Sequence, residues 1–133
     1  MHHSLELLPD TLAICRLMPG APIPSWALEP GRFSTVSRTA DELSITTVQR
    51  SIPAGVPCEG DYRALRVRGP LLFDLVGVLA AIAAPLAAAG LSIFAISTYD
   101  TDYVLVKARD LEPALQALQG AGHRIIPPET GIY

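Results

Sequence analysis

From Leu75 to Tyr99 the chain runs 25 residues without a charged side chain. A stretch of that length has to leave water, either across a bilayer or inside a protein core. Its composition decides against the bilayer. It is rich in alanine rather than leucine, carries Pro85 and Gly90, and at Gly90 changes from a helical period to an extended one. The run therefore divides into a buried helix and a strand, and neither half is long enough to span a membrane. Gly69 and Pro70 are read as the helix start. Leu72, Val76, Leu79, Ala83 and Leu86 recur at three- and four-residue intervals along it and form one stripe.

The elements around this run extend the pattern. Tyr62 to Arg68 alternates Arg63, Leu65 and Val67 with Tyr62, Ala64, Arg66 and Arg68, which predicts a strand with one buried and one solvated face. After Gly90, Leu91 to Ile96 and Tyr103 to Val106 are two dry strands rich in β-branched and aromatic residues. Asp110 is placed to cap a second helix whose face is Leu111, Ala114, Leu115 and Leu118, and Arg124 to Ile126 supplies a last strand. The order strand, helix, strand, strand, helix, strand, with short helices, predicts an α+β fold: a ferredoxin-like βαββαβ antiparallel sheet with two helices on one side.

The first half is less regular. A strand near Thr11 to Leu17 is followed by a loop holding Pro19, Pro22, Pro24 and Trp26, then by a hairpin of Phe33–Arg38 and Leu43–Val48 joined by Thr39–Glu42. It reads as a degenerate copy of the second half that has lost helical length. Pro53, Gly55, Pro57 and Gly60 mark the boundary loop, so the expected domains are residues 1–57 and 58–133. Trp26 is read as a packing residue.

Charge and motifs exclude several classes of function. Ten Lys and Arg against thirteen Asp and Glu give a net charge of −3, without the basic excess that phosphate backbones require, so nucleic acid is not an expected partner. The N-terminus MHHSLELLPD lacks the basic and apolar regions of a signal peptide. A cytoplasmic location is expected, with Cys15 and Cys58 as reduced thiols and an internal disulfide as the alternative. Phosphate loops and dinucleotide glycine triplets are absent, so no cofactor is expected. No serine or cysteine stands in an elbow motif, which argues against an enzyme. His2 and His3 are read as a mobile terminus rather than a metal site, and His123 stands alone. Asp100 and Asp102 share a strand face but offer too few oxygens for a cation shell, so no metal is expected. Arg63, Arg66 and Arg68 alternate across both faces of their strand and are read as a solvated edge.

The tip between the two dry strands carries the functional signal. Ser97, Thr98, Tyr99, Asp100, Thr101 and Asp102 are six consecutive hydrogen-bonding side chains, two of them carboxylates, which is more than a turn requires. The segment SIFAISTYDTDYVLV resembles the hairpin of small amino-acid-binding regulatory proteins built from paired ACT domains, a group that includes arginine sensors and the ACT modules of aspartate kinases. TLAICRLMPGAPIPSWAL and SRTADELSI are similar to the first half of that group.

The resemblance implies a free amino acid as ligand. Its α-carboxylate would lie at the helix start formed by Gly69, Pro70, Leu71 and Leu72, on the backbone N–H groups left unpaired there. Asp102 would hold the cationic end, because the similar arginine-binding proteins use the Asp of the same TD pair there. Thr98 and Tyr99 would line the pocket through their carbonyls, and Ser92 and Ile93 match positions that meet the ligand from a partner domain. Those arginine sensors carry an acidic residue just inside the helix start, where this chain has Leu71, Leu72 and Phe73. A neutral or monobasic amino acid therefore fits as well. The expected protein is a non-enzymatic regulatory module, a homodimer that buries its sheet edges and acts on a regulated protein partner. The alternative is a structural or interaction protein of the same fold that has no ligand, in which Asp102 only stabilises the hairpin.

Overall fold

The computed structural model of the chain describes residues 2–71 and 76–128. Its elements are β1 (Ser4–Leu17), β2 (Thr35–Arg38), β3 (Leu43–Val48), β4 (Cys58–Val67), α1 (Val78–Ala88), β5 (Phe94–Ser97), β6 (Asp102–Lys107), α2 (Leu111–Gly120) and β7 (Arg124–Ile126), with short 3-10 turns at Gln49–Ser51 and Ala108–Asp110. They gather into two compact units, Met1–Pro9 with Arg63–Tyr133, and Asp10–Tyr62.

In the unit built from both chain ends, the strands lie in the order β7-β1-β4-β6-β5. β5 and β6 are antiparallel, with Phe94 opposite Leu105 and Ser97 opposite Asp102. β7 runs parallel to β1, with Leu5 opposite Ile125. Alternation sends Leu5, Leu65, Val67, Val104 and Val106 to one face, where they form one buried cluster with Val78, Ile82 and Leu86 of α1 and Ala114 and Leu118 of α2. Both helices therefore cover the same face, which is the α+β, ferredoxin-like arrangement. Each fully buried leucine, isoleucine or valine in that layer contributes about 1.5–3 kcal/mol.

Three expectations about this unit change. The strand expected near Thr11 begins at Ser4, and its first residues stand between β4 and β7. Local periodicity cannot reveal a strand whose partner, Arg124–Ile126, lies at the far end of the chain. The helix begins at Val78 rather than at Pro70, because Gly77 adopts a left-handed conformation at φ 84° that no right-handed helix can run through. Val76, placed on the buried stripe by its spacing, lies before the helix and is 82% exposed. The arginines do not form a solvated edge, since β4 lies between β1 and β6. Arg66 pairs with Glu6 at 2.6 Å, Arg68 reaches the same carboxylate at 3.8 Å, and Arg63 donates to the Leu8 carbonyl at 3.0 Å.

The N-terminal histidines are also pinned. Pro85 lies inside α1 and has no N–H for the carbonyl of Ala81, one turn earlier. The Nε2 of His123, 5% exposed, stands 2.9 Å from that oxygen and donates to it, because its Nδ1 accepts the His3 backbone N–H at 3.1 Å. The His3 ring stacks on that of His123 with centroids 5.9 Å apart. Burial, and then the charge of His123, push the His3 pKa below its ordinary 6.5. A histidine with a lowered folded-state pKa favours the fold while it is neutral, and the unfolded chain gains protons first as pH drops below about 6.5. Thermal unfolding is therefore expected to move to lower temperature between pH 7.5 and pH 5.5, and His3→Gln to flatten that slope. A melting temperature constant across this range would contradict the assignment.

The unit Asp10–Tyr62 contains no α-helix. Its strands follow the order β2-β3-β1-β4. β1 pairs antiparallel with β3 from Leu12↔Val48 to Leu17↔Leu43, and β2 with β3 from Thr35↔Thr46 to Arg38↔Leu43. The hairpin turn is closed by Thr39, whose N–H donates to the Glu42 carbonyl at 2.9 Å and whose hydroxyl accepts the amides of Asp41 and Glu42. Cys15, Ala27, Leu43 and Ile45 form the core, and Trp26, Val36, Ile52 and Val56 pack on it. The nearly buried carboxylate of Asp10 is held by Arg32 at 3.3 Å and Arg50 at 3.7 Å.

Candidate ligand cleft

The acidic tip is fixed from behind. β4 ends at Val67, and its carbonyl accepts the hydroxyl of Thr101 at 2.6 Å. Thr101 is only 3% exposed. Four residues after Val67, the Leu71 N–H donates to the Asp100 carbonyl at 2.8 Å. A Cβ on Gly69 would stand 3.3 Å from both the Asp100 oxygen and the Thr101 Cβ, so glycine permits the close approach of the two segments.

Within the tip, the Thr98 N–H donates to the Thr101 carbonyl at 2.8 Å, and the Thr98 hydroxyl donates to the same oxygen at 3.1 Å. Tyr99 and Asp100 are left as a two-residue loop. Below them the Ser97 hydroxyl donates to a carboxylate oxygen of Asp102 at 2.5 Å.

The opposing wall is the start of α1. Its first intrahelical bond runs from the Ala81 N–H to the Gly77 carbonyl at 2.9 Å, so the N–H groups of Val78, Leu79 and Ala80 have no partner within the helix. Among the described residues no side chain caps this end, and no acidic residue stands in its first turn. It presents amide donors and partial positive charge.

These two walls face one another. A cleft of about 430 Å³ is lined by Leu71, by Gly77 to Ala80 at the helix start, and by Ser97 to Asp102 of the tip. The volume is within the range of small-molecule sites. One side carries backbone donors and the other two carboxylates, a polarity that suits a molecule bearing an anion and a cation a few bonds apart. Among the described residues, no group of three or more His, Cys, Asp or Glu side chains is placed to hold a metal ion.

Of the residues singled out from the sequence, Leu71, Thr98, Tyr99 and Asp102 line this cleft. Leu72 lies outside the described residues. Gly69 buttresses the back of the tip and does not line the cleft, nor does Pro70. Ser92 is exposed and Ile93 packs against the helix-covered core, and neither reaches the cleft. The helix-start amides beside the cleft are those of Val78, Leu79 and Ala80, whereas the sequence places the helix start at Gly69 and Pro70. The signal for that shift was Gly77, which interrupts an apolar run without any turn residue beside it. Ser97, Asp100 and Thr101 complete the wall, and the Thr-x-x-Thr spacing at 98–101 is the pattern that marks their self-bonded turn.

Comparison with known proteins bears on both units. A family model described as an ACT domain matches residues 58–120, and a second, for an N-terminal domain, matches residues 10–55. Over 59 residues the chain is 42% identical to the cytosolic arginine sensor for mTORC1 subunit 1 of Homo sapiens, covering 44% of this chain and 18% of that protein. The Mus musculus protein of the same name is 36% identical over 92 residues, which is 65% of this chain and 28% of its own length. The match thus spans less than a third of these curated relatives. An Agobacterium tumefaciens protein solved by X-ray crystallography superposes with a TM-score of 0.92 at 33% identity, over 100% of this chain and 98% of that one. The regulatory subunit of aspartate kinase from Thermus thermophilus, in its ligand-free form, shares the fold, with a TM-score of 0.61 at 19% identity over 88% of this chain and 96% of that chain. No helix among the described residues is long and apolar enough to cross a membrane.

Proposed function

Residues 58–120 are an ACT domain, and from that premise we propose that the chain is a non-enzymatic regulatory module that binds a free amino acid between the start of α1 and the β5–β6 tip. The observation that carries this reading is the cleft in which the first amides of α1, at Val78, Leu79 and Ala80, lie across from Asp100 and Asp102. The α-carboxylate lies on the amides, where a helix N-terminus favours an anion. Asp102 takes the cationic end, Thr98 and Tyr99 close the sides, and Leu71 supplies the apolar floor. Ligand and regulated partner are coupled through different affinities for two packing states, and the protein acts in the cytoplasm as a homodimer that shields the edge strand β5.

One observation favours a second reading, a scaffold without a ligand. Asp102 already accepts a hydrogen bond from Ser97, and the tip satisfies its own backbone through Thr98 and Thr101. Calorimetric titration with each of the twenty amino acids separates the two. Heat of binding is expected with at least one of them, and silence from all twenty would remove the sensor reading in favour of the scaffold.

A further inference from the structure

Cys15 and Cys58 are both free thiols, the first buried and the second exposed. They lie within the unit Asp10–Tyr62, on the neighbouring strands β1 and β4. The two strands run in opposite directions: the Arg68 N–H donates to the Ser4 carbonyl at one end and the Arg16 N–H to the Pro57 carbonyl, 3.1 Å away, at the other. Arg16 and Pro57 are thus a hydrogen-bonded pair, lacking its second bond only because proline has no N–H. The next pair along is Cys15 opposite Cys58. It is a non-hydrogen-bonded pair, the kind whose Cα atoms approach to about 4.5 Å, within the span that a disulfide bridges. The Cys58 side chain is near enough to the Cys15 thiol to act on it directly. A cleft of about 490 Å³ runs along this pair of strands, lined by Cys15 and Cys58 together with Arg16, Glu42 and Glu59.

We propose that this pair is an oxidation site, in which a hydroperoxide oxidises Cys58 and Cys15 resolves the product into an internal disulfide between β1 and β4. With hydrogen peroxide, the Cys58 sulfur attacks one oxygen and the O–O bond breaks. Cys58 becomes a sulfenic acid, and the departing hydroxide takes the thiol proton to leave as water. The Cys15 sulfur then attacks the Cys58 sulfur. The S–O bond breaks, the S–S bond forms, and the hydroxide leaves with the Cys15 proton as a second water. The two thiols lose two electrons and two protons, and the peroxide is reduced to two waters.

Burial fixes which thiol acts first. Only Cys58 is open to solvent, whereas burial, then the charge of Cys58 and its hydrogen bond, push the Cys15 thiol up to about 11. Once Cys58 is a neutral sulfenic acid, its charge no longer opposes the Cys15 thiolate, while the burial that raises Cys15 remains. The resolving step should still accelerate with pH, because the thiolate is the attacking form.

The test is intact-mass spectrometry and thiol titration of the full chain treated with hydrogen peroxide at low protein concentration. The expected product has lost two hydrogens, about 2 Da, has no titratable thiol, migrates as a single chain without reductant, and returns to the starting mass with dithiothreitol. Cys58→Ser, an exposed substitution, is expected to lose neither mass nor its remaining thiol on the same timescale. Cys15→Ala is expected to stop at a sulfenic acid that dimedone traps. A dimedone adduct on wild-type Cys58 in place of the internal bridge, disulfide-linked chain pairs as the main product, or oxidation of Cys58→Ser at the wild-type rate would each overturn the proposal.

Discussion

Asp102→Ala should weaken binding of a cationic amino acid by about 10- to 100-fold, because a hydrogen bond to a charged group contributes about 1.5–3 kcal/mol and each 1.4 kcal/mol is a factor of ten. The effect comes from the carboxylate oxygen that Ser97 does not occupy, since Ser97 takes one oxygen at 2.5 Å. Asp102→Asn separates charge from shape: it keeps an acceptor in place and should recover part of the affinity for a neutral ligand but little for a cationic one. Calorimetry on both variants checks this, with unchanged melting temperature as the control for folding. Affinity unaltered in both would place the cation elsewhere and reduce Asp102 to a hairpin residue.

The second large effect is expected behind the cleft. Thr101→Val keeps the shape of the side chain but removes the hydroxyl that satisfies the Val67 carbonyl at 2.6 Å in a buried setting. Leaving that carbonyl without its donor should cost about 1–3 kcal/mol of folding stability. Ligand affinity should fall with it, because this bond anchors the tip to the end of β4. Thr101→Ser restores the hydroxyl and should restore both properties. Urea denaturation and calorimetry read the two consequences separately. A Thr101→Val protein as stable and as tightly binding as wild type would show that the anchor is not what positions the tip.

How much of this could be read from the sequence depended on whether the deciding contact was local. β3 at Leu43–Val48 and β7 at Arg124–Ile126 coincide with the expected strands, and β6 and α2 lie within a residue or so of theirs, because alternation and a 3.6-residue period report directly on burial. The first residues of β1 escaped notice because Ser4–Glu6 owe their strand to Arg124–Ile126. The helix start was misplaced by a residue with no side chain. Gly77 reads as an indifferent member of an apolar run until its φ of 84° is known, and the donors of the candidate cleft move with it from residues 69–72 to Val78–Ala80. The acidic tip was legible, since six hydrogen-bonding side chains between two dry strands need a reason. Thr101 was visible there as one polar residue among six, but only the fold makes it the anchor.

The histidines follow the same logic. His123 looks solitary in the sequence, and its role depends on Pro85, 38 residues earlier, having left the Ala81 carbonyl without an N–H. Neither residue signals the other by spacing.

The central claim is that a free amino acid sits between the first turn of α1 and the β5–β6 tip. Amide chemical shifts of the isotopically labelled protein, followed during titration with the amino acid that gives the largest heat, test it most directly. Saturable shifts are expected at Val78, Leu79 and Ala80 and at Thr98 to Asp102, with the α1 amides moving when the carboxylate binds. Shifts confined to residues of the unit Asp10–Tyr62, with the first turn of α1 unmoved, would contradict it.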